Sequence, residues 1–206
     1  IAQGTVVGCN HALENGIAFN IAGGTHHAFS DRGEAFCLLN DQAIAAQYLI
    51  NQKKCHKILI VDLDVHQGNG TAEIFQNNAD VITFSMHGQS NYPFRKETSD
   101  YDIALPDKTD DTTYLSILQE TLPELLNIHR PDFVFYLAGV DILGTDKLGK
   151  LGCTLEGCKT RDSYVLGLCK SLGIPVQVSM GGGYSPAIKT IIEAHANTYR
   201  VARALY

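Results

Sequence analysis

The sequence predicts an α/β fold of three layers, a mostly parallel sheet with helices on both faces. Three observations carry this prediction. Short apolar runs alternate with longer stretches of helical character. The run Lys57-Ile58-Leu59-Ile60-Val61 is apolar in the way of a buried strand. Polar clusters follow the ends of the apolar runs, where a sheet of this kind binds ligands.

Taken in order, residues from about 3 to 15 read as helix and Ile17 to Ile21 as strand. A loop containing Gly23-Gly24 follows, and helix is expected from near Cys37 to about Gln52. Ile58 to Leu63 is a strand, and a short helix spans Thr71 to Gln76. Val81 to Ser85 and Tyr101 to Leu105 read as strands. Asp110-Asp111-Thr112 looks like the cap of a helix running toward Ile128, with Pro123 marking a kink or restart. Phe133 to Ala138 is a strand, Glu156 to Leu172 a helix and Val176 to Met180 a strand. Ser185-Pro186 opens the last helix, with Pro in its first turn.

At 206 residues the chain suits one domain with a proper core. Charged residues at 18% and hydrophobic ones at 45% are an ordinary globular composition. A formal charge of -6 offers no general attraction to nucleic acid or to an anionic membrane, so neither is an expected partner. No apolar run approaches the length of a membrane span, and no secretory signal is visible, although the chain starts at Ile1. The six cysteines form no CxxC pair and read as reduced, packed thiols of a cytoplasmic protein; a Cys153–Cys158 disulfide is the lesser alternative.

The chemistry gathers at the strand ends. The segment Asp62-Leu63-Asp64-Val65-His66 ends a buried strand in two carboxylates and an imidazole, which alternation places on one side. Such groups are costly there unless something satisfies them, and a divalent metal does so. Asp64, His66 and Asp141 make an Asp-His-Asp ligand set with positions left over for water and substrate. Zinc suits these donors, and iron(II) or cobalt would too. Two carboxylates offset the ion's charge, so a carbonyl would need further polarisation. On its own, Asp141 would read as a turn or helix cap. His26-His27, after paired glycines, can take a proton from water and return it to a leaving amine. Asp62 and Asn69 are candidates to orient the two rings from behind, and carboxylate against amide predicts different protonation. Tyr184, after Gly181-Gly182-Gly183, is either a packed aromatic or a phenol aimed at a carbonyl oxygen. Gly24 and Gly182 would let a substrate approach closely. Phe36 and Phe94 are either channel walls or core, and His87 receives no role.

These residues fall in Gly23-Gly24-Thr25-His26-His27, Asp62-Leu63-Asp64-Val65-His66-Gln67-Gly68-Asn69-Gly70, Ala138-Gly139-Val140-Asp141-Ile142-Leu143 and Gly181-Gly182-Gly183-Tyr184. With them the chain resembles the metal-dependent histone deacetylase superfamily, class IV type. The resemblance implies an arginase/deacetylase fold in which Asp64, His66 and Asp141 hold zinc. His26 and His27 would be general base and acid, and Tyr184 would polarise the acetyl carbonyl. Phe36 and Phe94 would line an acyl-lysine tunnel. A structural potassium ion would take ligands from Asp62, Asp64, His66, Ser85 and Met86, some of them backbone carbonyls. Thr25 replaces an aromatic residue common in the family, which predicts a more open pocket floor. Asn69 replaces the Asp of class I members, as in classes II and IV. Six strands are countable against the family's eight, so residues 1–206 are expected to be one catalytic domain lacking its N-terminal edge strands.

The expected activity is hydrolysis of acetyl-lysine in a protein. Acetylpolyamines and long-chain acyl-lysines fit the same motifs, and so does a metal- and acyl-lysine-binding module without turnover. A dimanganese arginase-like hydrolase would need a second bridging aspartate after His66, which Asn69 does not provide.

Overall fold

The computed structural model describes residues 1–206. The chain runs α1 (Ala2–Asn15), β1 (Ile17–Asn20), α2 (Asp41–Asn51), β2 (Ile58–Asp62), α3 (Asn69–Phe75), β3 (Val81–Gly88), β4 (Tyr101–Leu105), α4 (Asp111–His129), β5 (Phe133–Leu137), α5 (Leu155–Leu172), β6 (Val176–Ser179) and α6 (Ile188–Leu205). The strands form one sheet in the order β1-β6-β5-β2-β3-β4. Every neighbouring pair is parallel. Alternate residues of β2 serve opposite layers. Ile58 and Ile60 join Cys9, Ala46 and Leu49 of α1 and α2 in one apolar cluster. Leu59 and Val61 join Leu118, Val165 and Val201 of α4, α5 and α6 in the other. The three layers thus follow from period-two burial of a strand apolar on both faces.

Helix ends obey local chemistry. Asn40, Asp110 and Thr154 each accept a hydrogen bond from the backbone N–H three residues on. Helix α4 passes through Pro123 without restarting. The proline leaves the Gln119 carbonyl without its helical donor, and the Tyr164 hydroxyl of α5 supplies one at 3.3 Å. All six cysteines are free and buried, with no Cys153–Cys158 bond.

Several expected boundaries move: β3 runs on to Gly88 and α3 starts at Asn69, and three shifts bear on the site. Helix α2 starts at Asp41, because Glu34 and Cys37 close a tight turn through two reciprocal 2.9 Å backbone bonds, leaving Leu38 and Leu39 exposed. Helix α6 starts at Ile188, so Pro186 precedes it instead of filling its first turn. Residues 181–185 are tied elsewhere: Gly182 N–H to Asp64, Tyr184 N–H to Asp146, and the Ser185 hydroxyl to Thr145. Strand β2 ends at Asp62, so strand alternation does not carry Asp64 and His66, which project from the following loop.

A buried ion pair braces this end of the sheet. Arg161 and Asp162 of α5 have no exposed surface. Arg161 Nε and Nη2 donate to Asp162 Oδ1 at 2.9 and 2.8 Å, and Nη1 donates to the carbonyls of Gly139 at 2.6 Å and Leu63 at 3.3 Å. Tyr136 and Thr198 also donate to Asp162. Arg161→Met would leave the Asp162 charge buried with neutral donors alone. Urea unfolding is expected to show a loss of about 3–5 kcal/mol; a change below about 1 kcal/mol would place the pair among the neutral ones.

Candidate active site

Five loops meet beyond the carboxyl ends of the strands. Strand β2 is flanked by β3, which follows it in sequence, and by β5, which arrives after β4 and α4. Chain order therefore reverses between β2 and β5, and a crevice opens there. The loop after β2 brings Asp64 and His66, and the loop after β5 brings Asp141. Their ligand atoms all lie within 4.8 Å of one another. His66 Nδ1 is 2.9 Å from Asp64 Oδ1 and 3.3 Å from Asp141 Oδ2. Val65 N–H donates to Asp141 Oδ1 at 3.0 Å, and Gly182 N–H donates to Asp64 Oδ2 at 2.8 Å. A Cβ on Gly182 would stand 2.1 Å from Asp141 Oδ2, so only glycine lets the loop after β6 lie over the two carboxylates.

This trio fits a divalent ion. Asp141 Oδ2 is buried and has no hydrogen-bond partner, an expensive condition for a carboxylate oxygen. Burial and the Asp64 charge push the Asp141 carboxyl up to about 7. Burial also opposes ionisation of Asp64, but His26 and His66 outweigh it and hold that carboxyl well below its ordinary range. Donor atoms on a tetrahedral zinc with bonds of about 2.0–2.1 Å stand roughly 3.3 Å apart, close to the His66–Asp141 separation.

The histidines sit just above. His26 Nδ1 lies 2.7 Å from Asp62 Oδ2, and His27 Nδ1 lies 2.7 Å from Asn69 Oδ1. Both rings are buried, with centroids 4.1 Å apart. Burial disfavours a charge on His26, yet the Asp62 and Asp64 carboxylates prevail and raise it to about 9. Burial and the adjacent His26 charge lower His27 to about 3. A divalent ion on Asp64 would offset that carboxylate's field and draw His26 back down. The contrast between the rings still follows from carboxylate against amide.

A cavity of about 490 Å³ joins these groups, lined by both histidines, the Asp-His-Asp trio and Tyr184. Phe36 and Phe94 also line it and are 82% and 93% exposed, so they form its mouth and not the core. The Phe36 ring lies 6.1 Å from that of Tyr184. Burial and the charges of Asp141, Asp64 and Asp146 raise the Tyr184 phenol, which keeps its proton at neutral pH. Gly24 and Thr25 line the cavity too. Asp62 and Ser85 are register partners on β2 and β3. The Met86 side chain is in the core, which leaves its backbone carbonyl for a monovalent cation, whereas the Ser85 hydroxyl, 3.0 Å from His87 Nδ1, keeps lone pairs free for one. His87 does not line the cavity, and burial lowers it to about 4.

Several residues here carry no sequence signal of their own. Asp41, the first residue of α2, accepts from the N–H groups of Gly24 and Thr25 and from the hydroxyls of Thr25 and Thr5, fixing the histidine loop. Glu34 accepts from Asn69 and Tyr92. Lys150 lines the cavity and donates to Ser90.

Comparison with known proteins gives these likenesses. The histone deacetylase domain family matches residues 1–199. An uncharacterized protein of Picosynechococcus is 48% identical over 203 residues, covering 98% of this chain and 68% of that protein. Histone deacetylase 2 of Arabidopsis thaliana is 31% identical over 192 residues, covering 92% of this chain and 50% of its own length. Among solved structures, the HDA15 HD domain superposes with a TM-score of 0.80 at 28% identity, covering 99% of this chain and 62% of that one. The acetylpolyamine aminohydrolase of Burkholderia pseudomallei gives 0.81 at 26% identity, covering 99% and 61%. The chain thus spans about half the length of the Arabidopsis relative and under two thirds of each solved chain.

Proposed function

Because the chain belongs to the histone deacetylase domain family and has its arginase/deacetylase fold, we propose that it is a zinc-dependent deacetylase that hydrolyses the amide of acetyl-lysine. One observation carries the reading: Asp64, His66 and Asp141 converge beneath two buried histidines and Tyr184 in a single cavity. Asp64, His66 and Asp141 would hold the zinc, whose chemistry is to polarise the carbonyl and to acidify water. His27, a neutral ring, takes a proton from the attacking water at Nε2 and returns it to the departing amine nitrogen. His26, backed by the Asp62 carboxylate, favours the negative charge that develops beside it. The Tyr184 hydroxyl donates to the oxyanion. Phe36 and Phe94 flank the alkyl stem of the lysine, with Gly24 and Gly182 leaving room for the acyl end. A potassium ion on Asp62, Asp64, His66, Ser85 and Met86 would stiffen the loop behind the ligands.

The substrate neighbourhood favours an acyl-lysine over a free polyamine. The mouth is apolar at Phe36 and Phe94 and carries the Lys150 ammonium, which repels a polycation. The acetylpolyamine aminohydrolase likeness keeps the small amine as the second reading. A panel of acetyl-lysine peptides, long-chain acyl-lysine peptides and acetylpolyamines separates these readings. Acetyl-lysine hydrolysis is expected to dominate, to vanish on chelation and to return with zinc. Polyamine preference would move the assignment to the second reading. Hydroxamate binding without turnover of any substrate would reduce the protein to a binding module.

A further inference from the structure

Asn69 poses a problem that an aspartate would not. Both oxygens of a carboxylate accept hydrogen bonds, so either would hold a protonated His27 Nδ1. A carboxamide has two different faces. Turned one way, its oxygen accepts from Nδ1–H and leaves Nε2 bare. Turned the other way, its NH₂ donates to Nδ1 and drives the ring proton onto Nε2, where it blocks proton abstraction.

Glu34 resolves this. Its position is fixed by the tight turn to Cys37, with Ala35 at φ 50. Its Oε1 accepts from Asn69 Nδ2 at 2.8 Å and from the Tyr92 hydroxyl. Its Oε2 stands 3.5 Å from Arg32 Nε. The Tyr92 ring packs edge-on against His27, with centroids 5.1 Å apart. Hydrogen bonds from Tyr92 and Asn69, with the Arg32 charge, keep the Glu34 carboxyl ionised, burial opposing them. An ionised carboxylate has nothing to donate, so only the amide nitrogen of Asn69 can face it. The amide oxygen is then left for His27 Nδ1, 2.7 Å away.

We propose that Glu34 is a positioning residue that locks the Asn69 amide in one orientation and thereby holds His27 as the Nδ1–H tautomer, with Nε2 open to the cavity. The tautomer stands on this geometry alone. Its consequence for rate rests on the reading of His27 as the proton acceptor.

The test combines two-bond ¹H–¹⁵N spectra of the histidine rings with turnover of an acetyl-lysine peptide, both on zinc-loaded protein. The wild-type His27 ring is expected to be Nδ1–H. Glu34→Gln keeps the shape but can meet Asn69 with either amide atom, so Nε2–H should appear. In Glu34→Ala the orienting charge-assisted bond is gone, and the tautomer ratio should move by about 10- to 100-fold, with kcat falling and KM little changed. Adding Asn69→Asp to Glu34→Ala restores an acceptor that needs no orientation, so the Nε2–H tautomer should disappear again, while the new carboxylate raises the basicity of the ring and leaves kcat no measure of the rescue. If Glu34→Ala does not fold, the Glu34→Gln spectrum decides. A pure Nδ1–H ring in Glu34→Gln, or a double variant whose His27 still shows the neutral Nε2–H tautomer, overturns the proposal. Tautomers that shift as expected in a protein without hydrolysis would uphold this inference and overturn the proposed function instead.

Discussion

Turnover of an acetyl-lysine peptide is expected to fall about 10²–10³-fold when Tyr184 is replaced by phenylalanine. The substitution removes one oxygen and leaves the ring beside Phe36. The backbone of residue 184 stays anchored, because its N–H and not its side chain donates to Asp146. Folding and metal content should therefore be unchanged, and the loss should appear in kcat. The reason lies in the ligand set. Two carboxylates would offset much of the charge of a divalent ion, so the carbonyl would depend on a second donor. The phenol can be that donor, because burial and three nearby carboxylates keep it protonated. Turnover within a few-fold of wild type would remove Tyr184 from the mechanism and leave it a packed aromatic at the cavity wall.

The second large effect separates metal from fold. Asp141→Asn is expected to abolish stable zinc binding, and hydrolysis with it, because it replaces an anionic ligand that has no exposed surface. Its effect on stability should depend on the ion. In chelator, the buried Asp141 carboxyl meets the Asp64 charge on one side and His66 Nδ1 at 3.3 Å on the other. The amide removes the repulsion and the His66 pair together while its oxygen still accepts from Val65 N–H, so the chelated variant should stay within about 1 kcal/mol of the wild type. Zinc should then raise the melting midpoint of the wild type and not of the variant. Melting curves in chelator and in zinc measure both differences. A variant that retains stoichiometric zinc would show that Asp141 is not a ligand.

Much of the architecture is legible in the sequence, because strands apolar on both faces announce a sheet covered twice. The same is true of Asp64, His66, Asp141, the tandem histidines and Tyr184, since each stands just past a strand. Strand order is not legible: nothing local in Phe133–Leu137 says that it lies beside Ile58–Asp62 rather than beyond Tyr101–Leu105. Nor are the supporting residues. Asp41 looks like an ordinary helix-start carboxylate until the histidine loop folds onto it. Arg161 reads as one polar residue of a helix until the Gly139 and Leu63 carbonyls reach it. Glu34 acquires meaning only from Asn69, far along the chain. The misplaced starts of α2 and α6 have the same origin. The residues before α2 are held in the Glu34–Cys37 turn, and those before α6 by bonds to Asp64, Asp146 and Thr145.

The reversal of chain order between β2 and β5 has a consequence in time. The two carboxylates that would grip the ion come from loops separated by α3, β3, β4, α4 and β5. No local segment can assemble them, and a nascent chain emerging from the ribosome has no complete chelate until β5 has docked in the middle of the sheet. The ion would thus be a latecomer that cannot template the early collapse. Its loss would be among the first signs that the central strands have begun to part.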